Sequence, residues 1–207
     1  MNNNIKLKLI KKIFPISNVN IDELKFDDVG LYSISLPKDA DIISEFIKNN
    51  INNAMHNYID ISNITIIDGT AGIGGNIISF AKYFKSVIGF ELDENRFNIL
   101  NNNLKVYNLN NVITYNLNSL DKLFIADVYF FDPPWGGPNY KKYKNLTFTF
   151  NDIELDQIVI NIKKINKNSY ISFKLPTNFN LSIFDTFNYK ILNLKKMLII
   201  LILPDIE

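Results

Sequence analysis

The residues best suited to chemistry lie together in Phe131-Asp132-Pro133-Pro134-Trp135-Gly136-Gly137-Pro138-Asn139-Tyr140. Asp132 is an acid, and Trp135 is the only tryptophan of the chain. A carboxylate accepts hydrogen bonds, so Asp132 can take one N–H of an exocyclic amine. The carbonyl of Pro133 can take the other, because proline keeps its acceptor. Trp135 offers a flat face for stacking, and a cationic ring would gain about 0.5–2 kcal/mol more there than a neutral one. The pattern points to an amine held on a planar base. Asp132, Pro133 and Trp135 are the candidate catalytic residues, and Pro134 and Tyr140 join Trp135 as candidate substrate contacts. The plainer alternative is a strand end, a tight turn and a tryptophan filling the core. It serves an isolated Asp-Pro-Pro better than the whole stretch.

Such residues need a strand to deliver them. Val128-Tyr129-Phe130-Phe131 is an apolar run of buried-strand type, and two successive prolines cannot donate to a ladder, so it must stop there. In open α/β sheets the carboxyl end of a strand is where ligands bind. Ile64-Thr65-Ile66-Ile67 is a second such run. It leads into Asp68-Gly69-Thr70-Ala71-Gly72-Ile73-Gly74-Gly75-Asn76 and then a helical pattern with Ile77, Ile78, Phe80 and Ala81. A glycine turn between strand and helix lets the backbone approach a ligand and presents the helix N–H groups to it. The G-x-G-x-x-G spacing of a pyrophosphate site is absent. The shorter loop, led by an acid, suits a nucleoside carrying a cationic amino-acid tail, with Asp68, Gly69, Thr70, Gly72 and Gly74 as candidate cofactor contacts. Ser86-Val87-Ile88-Gly89-Phe90 predicts the next strand. Glu91 stands at its end, roughly twenty residues past the glycine loop, where an acid can chelate both ribose hydroxyls. Asp93 and Glu94 better fit acids answering a helix dipole. A third strand over residues 112–115 is closed by Asn116-Leu117-Asn118, so Asp68, Glu91, Asn118 and Asp132 should line one sheet edge.

The remaining elements follow from periodicity. Residues 37 to about 58 predict a helix with Pro37 in its first turn, and the lone histidine, His56, falls in it as an ordinary surface or half-buried residue. Phe97, Leu100 and Leu104 mark the face of another helix, on whose surface the run Asn101-Asn102-Asn103 is tolerable and otherwise reflects coding bias. A helix is expected from about 152 to 165, with Leu155, Ile158, Val159 and Ile162 inward, and a fifth strand over 169–174, ended by Leu175-Pro176. Residues 187–194 and 197–203 predict two strands whose short link, Lys195-Lys196, forces an antiparallel hairpin. The expected fold is α/β: a Rossmann-like, doubly wound, mostly parallel seven-stranded sheet with an antiparallel C-terminal hairpin and a reversed edge strand. Residues 1–36 read as an N-terminal arm, a short helix followed by an extended segment around Gly30 to Ser35, or else as a solvated leader; residues 37–207 form the main domain.

The chain has 207 residues, 47% hydrophobic, with a net charge of +1, which describes a globular protein with room for a core and no global nucleic-acid signal. Any RNA contact has to come from local clusters such as Lys6, Lys8, Lys11 and Lys12, or Lys141, Lys142 and Lys144. The absence of cysteine excludes disulfides and thiolate metal sites, and a single histidine argues against a His-based one. No apolar run reaches membrane-spanning length, and no signal-peptide pattern opens the sequence. An intracellular protein without metal is expected, with nucleus or cytoplasm undetermined and a monomer as the default state.

A first strand ending in acid-Gly, a second ending in an acid and a fourth ending in Asp132-Pro133-Pro134-Trp135 resemble the class I S-adenosylmethionine-dependent methyltransferases, and Asp-Pro-Pro-Trp is shared there by amine methylases of adenine and guanine. The extension Pro133-Pro134-Trp135-Gly136-Gly137-Pro138-Asn139-Tyr140 and the loop Gly72-Ile73-Gly74-Gly75-Asn76 resemble the narrower trimethylguanosine synthase family, from about residue 26 onward. The resemblance implies S-adenosylmethionine as cofactor and the N2 amine of a 7-methylguanosine RNA cap as acceptor. It implies Asp68, Gly69 and Gly72 at the methionine end, Glu91 on the ribose, Asn118 at the adenine amine, Asp132 bordering the cofactor, and Trp135 stacked on 7-methylguanine. The chain departs from the pattern at four places. Glu91 stands for the usual Asp, Asn118 for an acid, Leu31-Tyr32 for an aromatic pair, and Thr177 for Arg in Leu-Pro-Arg-Asn. Cap phosphates would then fall to Lys174 or the N-terminal lysines. Two other functions remain open at this point: N6-adenine methylation of RNA or DNA, and a non-catalytic cofactor- or RNA-binding subunit.

Overall fold

The computed structural model describes residues 3–16, 19–54, 63–122 and 124–205. Two compact units meet in sequence between Asp121 and Lys122. The first contains α1 (Asn3–Ile13), α2 (Asp28–Ser33), α3 (Pro37–Ala54), β1 (Thr65–Asp68), α4 (Gly75–Tyr83), β2 (Ser86–Phe90), α5 (Glu94–Val106) and β3 (Val112–Tyr115). The second contains β4 (Val128–Phe131), β5 (Thr149–Phe150), β6 (Ile153–Glu154), α6 (Leu155–Ile165), β7 (Tyr170–Pro176), β8 (Tyr189–Leu194) and β9 (Met197–Ile202). Seven strands make one mostly parallel, Rossmann-like sheet in the order β3-β2-β1-β4-β7-β9-β8. β1 with β2, β2 with β3 and β4 with β7 are parallel, and β9 is antiparallel to β7 and to β8.

In the first unit, α3 begins at Pro37 as expected and buries Ala40, Ile43, Ile47 and Ile51, one helical face. The helix is described to Ala54, and the rest of its expected span, with His56, lies outside the described residues. Polar groups register α3 on α4: Ser79 Oγ donates to Asp41 Oδ1 at 2.6 Å, and Ser44 and Ser79 hydroxyls lie 2.8 Å apart. The N-terminal stretch is not a solvated leader. Ile10, Ile13, Phe14 and Leu24 are buried, and Tyr107, which caps the C-terminal end of α5, donates from its hydroxyl to the Pro15 carbonyl at 2.7 Å. Nor is the Gly30 to Ser33 region extended. It is α2, started by Asp27, whose Oδ1 accepts from Gly30 N at 2.7 Å as an N-cap. The asparagine run is also more than a tolerated surface. Asn103 is fully buried, its amide donating to the carbonyls of Lys25 and Ile73 and its oxygen accepting from Lys25 N. Asn103 therefore ties the N-terminal stretch to the glycine turn.

In the second unit, β4 and all seven residues of β7 are buried, as adjacent apolar runs must be. Phe131, Phe173 and Phe184 stack in series at 5.6 and 5.5 Å between centroids. α6 buries the expected Leu155, Ile158, Val159 and Ile162, but starts at Leu155 because residues 149–154 form the small β5–β6 hairpin. β7 runs on through Leu175 and Pro176, which pair with Leu198 and Met197. The reversed strand is not at the edge. The apolar β9 lies between β7 and β8, and β8, with none of its residues buried, takes the rim.

Candidate functional site

The first unit contributes a turn organised by two carboxylates. Asp68, the last residue of β1, is fully buried and its Oδ1 accepts from Thr70 N at 2.9 Å and from the Thr70 hydroxyl at 3.3 Å. Gly74 caps α4 at φ 106, a left-handed conformation that a side chain would strain. At Gly75 any Cβ would meet Ile34 Cγ1 at 2.5 Å and the Ser35 carbonyl at 2.9 Å, so the turn packs closely on the segment before α3. Glu91 follows β2 and is 8% exposed. Its Oε2 accepts from Gly72 N at 2.9 Å, and its Oε1 accepts from Asp93 N at 2.9 Å and Arg96 Nε at 3.3 Å. Asp68, Gly69, Thr70, Gly72, Gly74 and Glu91 are thus brought into one turn system. Asn116 adds the exit of β3 to it, donating to the carbonyls of Glu91 and Leu92. Asn118 bonds locally: its oxygen accepts from Leu120 N at 3.1 Å and its amide donates to Asp121 Oδ1 at 2.9 Å.

Arg96 was missed from sequence. Its guanidinium reaches three acids: Glu91, Asp93 Oδ2 at 3.6 Å and Asp27 Oδ2 at 3.9 Å. The available signal was that Arg96 is the only arginine in a chain otherwise using lysine, one turn into the helix after Glu91. A planar fork can serve several carboxylates at once, which an ammonium cannot.

The second unit contributes a buried ion pair beside an aromatic face. Phe131 pairs with Phe173 in parallel register, so the next residues along, Asp132 and Lys174, fall side by side on one sheet face. Lys174 Nζ stands 2.6 Å from Asp132 Oδ2, and Lys174 is 5% exposed. Burial pushes the Asp132 carboxyl above the ordinary carboxylate range, and the Lys174 ammonium pulls it back without cancelling the rise. Lys174 is therefore an inward partner of Asp132 and not an outward cation for phosphates. Trp135 is half-buried; its Nε1 donates to the Lys174 carbonyl at 3.2 Å and Lys174 Nζ stands 5.8 Å from its ring centroid. Tyr140 packs edge-on to Trp135 at 5.3 Å. Pro133 is buried and Pro134 exposed. The chain leaves Trp135 through Gly136, at φ 82, into a 3-10 turn over Gly137–Lys142. Asn178, just past β7, holds that turn: its amide donates to the carbonyls of Tyr140 at 2.8 Å and Tyr143 at 2.7 Å. Asp132, Trp135, Tyr140 and Lys174 are thus brought together.

This sheet, with a glycine turn after β1 and an acid after β2, defines a Rossmann-like methyltransferase fold. A precorrin-6y C5,15-methyltransferase from Geobacter metallireducens matches with TM-score 0.62 at 13% identity, over 93% of this chain and 100% of that one. The T. thermophilus 16S rRNA N2 methyltransferase RsmC, solved with AdoMet and guanosine, matches with TM-score 0.60 at 13% identity, over 87% of this chain and 44% of that one. The chain belongs to the RNA cap guanine-N2 methyltransferase family, whose model matches residues 63–202. An uncharacterized protein of Acanthamoeba polyphaga mimivirus is 34% identical over 82% of this chain and 73% of its own length. The trimethylguanosine synthase of Schizosaccharomyces pombe is 32% identical over 55% of this chain and 50% of its own. The protein is accordingly a methyltransferase, with S-adenosylmethionine as its methyl donor. The first unit suits that donor. Around Gly72 the nearest atom to an added Cβ would be 4.0 Å away, which leaves room for a ligand against the backbone, and Glu91 stands beside that opening. Among the described residues there is no cluster of metal-ligating side chains and no helix long and apolar enough to cross a membrane.

Proposed function

We propose that the protein methylates the exocyclic N2 amine of a 7-methylguanosine RNA cap, giving 2,7-dimethyl- and, after a second transfer, 2,2,7-trimethylguanosine. The observation that carries this is the Asp132–Lys174 ion pair beside Trp135. Bound S-adenosylmethionine supplies an activated methyl group; the protein has to aim the amine. Burial raises the Asp132 carboxyl and the Lys174 charge offsets part of that rise; in either protonation state the carboxyl keeps an acceptor oxygen for one N–H of the amine. The Pro133 carbonyl takes the other, which fixes the direction of the nitrogen lone pair. The amine proton is lost after the nitrogen has become cationic, so no dedicated base is needed. Trp135 stacks on the base, with Tyr140 and Pro134 bordering it. On the donor side Asp68, Gly69, Thr70, Gly72 and Gly74 hold the methionine end, Glu91 the ribose and Asn118 the adenine. A carboxylate offers about four acceptor positions, so the bonds Glu91 makes within the protein leave capacity for two hydroxyls. Residues 37–207 act as the catalytic domain and residues 1–36 as an extension folded onto α5.

One observation favours a second function. Lys174 already sits within cation–π range of Trp135, and a second positive charge on 7-methylguanine gains less from a ring that already serves one. A neutral acceptor, the N6 amine of adenine in RNA or DNA, escapes that competition. Mass spectrometry separates the two. Incubated with S-adenosylmethionine, 7-methylguanosine diphosphate should gain one or two methyl masses. Gain only on an uncapped adenine-containing oligonucleotide would transfer the assignment to adenine.

A further inference from the structure

We infer that the exposed ridge Lys141-Lys142-Tyr143-Lys144 is a docking surface for the single-stranded RNA that leaves the base stacked on Trp135; this rests on the proposed RNA substrate. Residues 133–151 contain three lysines and no acid. All four ridge residues are exposed, Tyr143 at 58%. No ion pair engages Lys142 or Lys144 among the described residues. Lys141 Nζ rests 5.7 Å from the Tyr140 ring, in the same turn.

Ordinary solvated lysines sit on mobile loops, but these are held. The Asn178 amide grips the carbonyls of Tyr140 and Tyr143, one on each side of Lys141 and Lys142. Leu146 N donates to the Asn178 carbonyl at 2.9 Å, and Asn180 N to the Leu146 carbonyl at 2.8 Å, which closes the same clamp. Tyr140 packs on Trp135, so the ridge has a fixed place relative to the stacking face. The exit of β7 offers no rival cation: Thr177 carries no charge, and Lys174 is turned inward onto Asp132. A rigid row of cations with an exposed aromatic among them suits a phosphodiester strand, with the lysines on phosphates and Tyr143 as a stacking surface for any base. It carries no hydrogen-bonding code for sequence, so the docking should be tolerant of sequence.

The test is fluorescence anisotropy of a 3′-labelled capped RNA oligonucleotide, titrated with wild-type protein and with K141Q/K142Q/K144Q over a range of salt. Each phosphate contact on a single strand contributes about 0.7 to the slope of log affinity against log salt, so losing three should flatten it by about 2. Affinity for 7-methylguanosine diphosphate should stay within about twofold, since the ridge serves the strand beyond the cap. An unchanged salt slope overturns the inference. So does an equal loss on the diphosphate, which would assign the lysines to the cap itself. The same RNA without a cap keeps the proposals apart. If wild-type protein binds both RNAs equally, cap recognition fails, yet the slope difference still decides the ridge. The substitutions are at exposed positions, and melting temperature and cofactor affinity should match wild type.

Discussion

The proposed donor side and the proposed acceptor side of this methyltransferase are built on different physics. In the first unit the side chains of the site mostly serve the backbone: Asp68 caps its own turn, and Glu91 takes N–H groups from Gly72 and Asp93. The geometry is spread over several modest, part-buried hydrogen bonds of about 0.5–1.5 kcal/mol each, somewhat more where a charge takes part. In the second unit the site hangs on one ion pair, 2.6 Å long and largely removed from water, with Trp135 bonded to the carbonyl of the same lysine. A distributed site degrades in steps under substitution, whereas a site with a single buried pair fails at once. The donor is common to many methyltransferases and the acceptor is particular, so on the proposed function the concentrated chemistry falls where the substrate is chosen.

The largest expected effect is therefore Asp132→Ala. Removing the acceptor that aims the amine should lower kcat/KM by about 10²-fold or more, with S-adenosylmethionine affinity, read by calorimetry, changed little. An equal loss of cofactor affinity would show that the two sides are not separable in this way. Next is Lys174→Met. It leaves Asp132 buried without the Lys174 counter-charge and should cost about 3–5 kcal/mol in urea unfolding at neutral pH. The sign with pH is set by the direction of the shift. An acid whose folded pKa is raised binds more protons folded than unfolded, so it lowers stability as pH climbs from the ordinary carboxylate range through the raised value. Without Lys174 that rise grows, so the stability gap between variant and wild type should widen from pH 5 to pH 8 and narrow toward acid. A gap independent of pH would mean that Lys174 acts by packing alone.

The same contrast explains how legible each side was. The loop after β4 was readable because Pro-Pro stops a strand and a lone tryptophan follows an acid, all within one contiguous segment. The antiparallel hairpin of β8 and β9 was readable from its short link, but the reversed strand was expected at the edge; Met197 to Ile202, apolar throughout, takes the inner place, and the more exposed Tyr189 to Leu194 the rim. What escaped were partnerships across the chain. Lys174 reads as a free cation until the β4–β7 register sets it beside Asp132. Asn103 reads as surface until the stretch around Lys25 packs on α5 and uses its amide. α2 was lost because Gly30 in a six-residue segment hides a helix that depends on the Asp27 cap. For Lys174 and Asn103 the partner lay dozens of residues away; for α2 it lay three residues away, and the local pattern itself misled.

The smallest effect tests whether the donor side is truly distributed. Arg96 links Glu91 to Asp93 and, more loosely, to Asp27, which starts α2. Arg96→Lys keeps the charge but can serve about one carboxylate in place of three, so Glu91 loses its directed N–H while keeping the bonds from Gly72 and Asp93. For a side chain 24% exposed, that loss should amount to about 0.2–1 kcal/mol, or roughly a one- to fivefold rise in the Kd for S-adenosylmethionine. The turnover rate with saturating cofactor should be unchanged, because the ion pairs of Arg96 are with Glu91, Asp93 and Asp27, all in the first unit. Loss of cofactor binding by about a hundredfold would show that Glu91 is positioned by Arg96 alone, and the donor side would then be as concentrated as its counterpart.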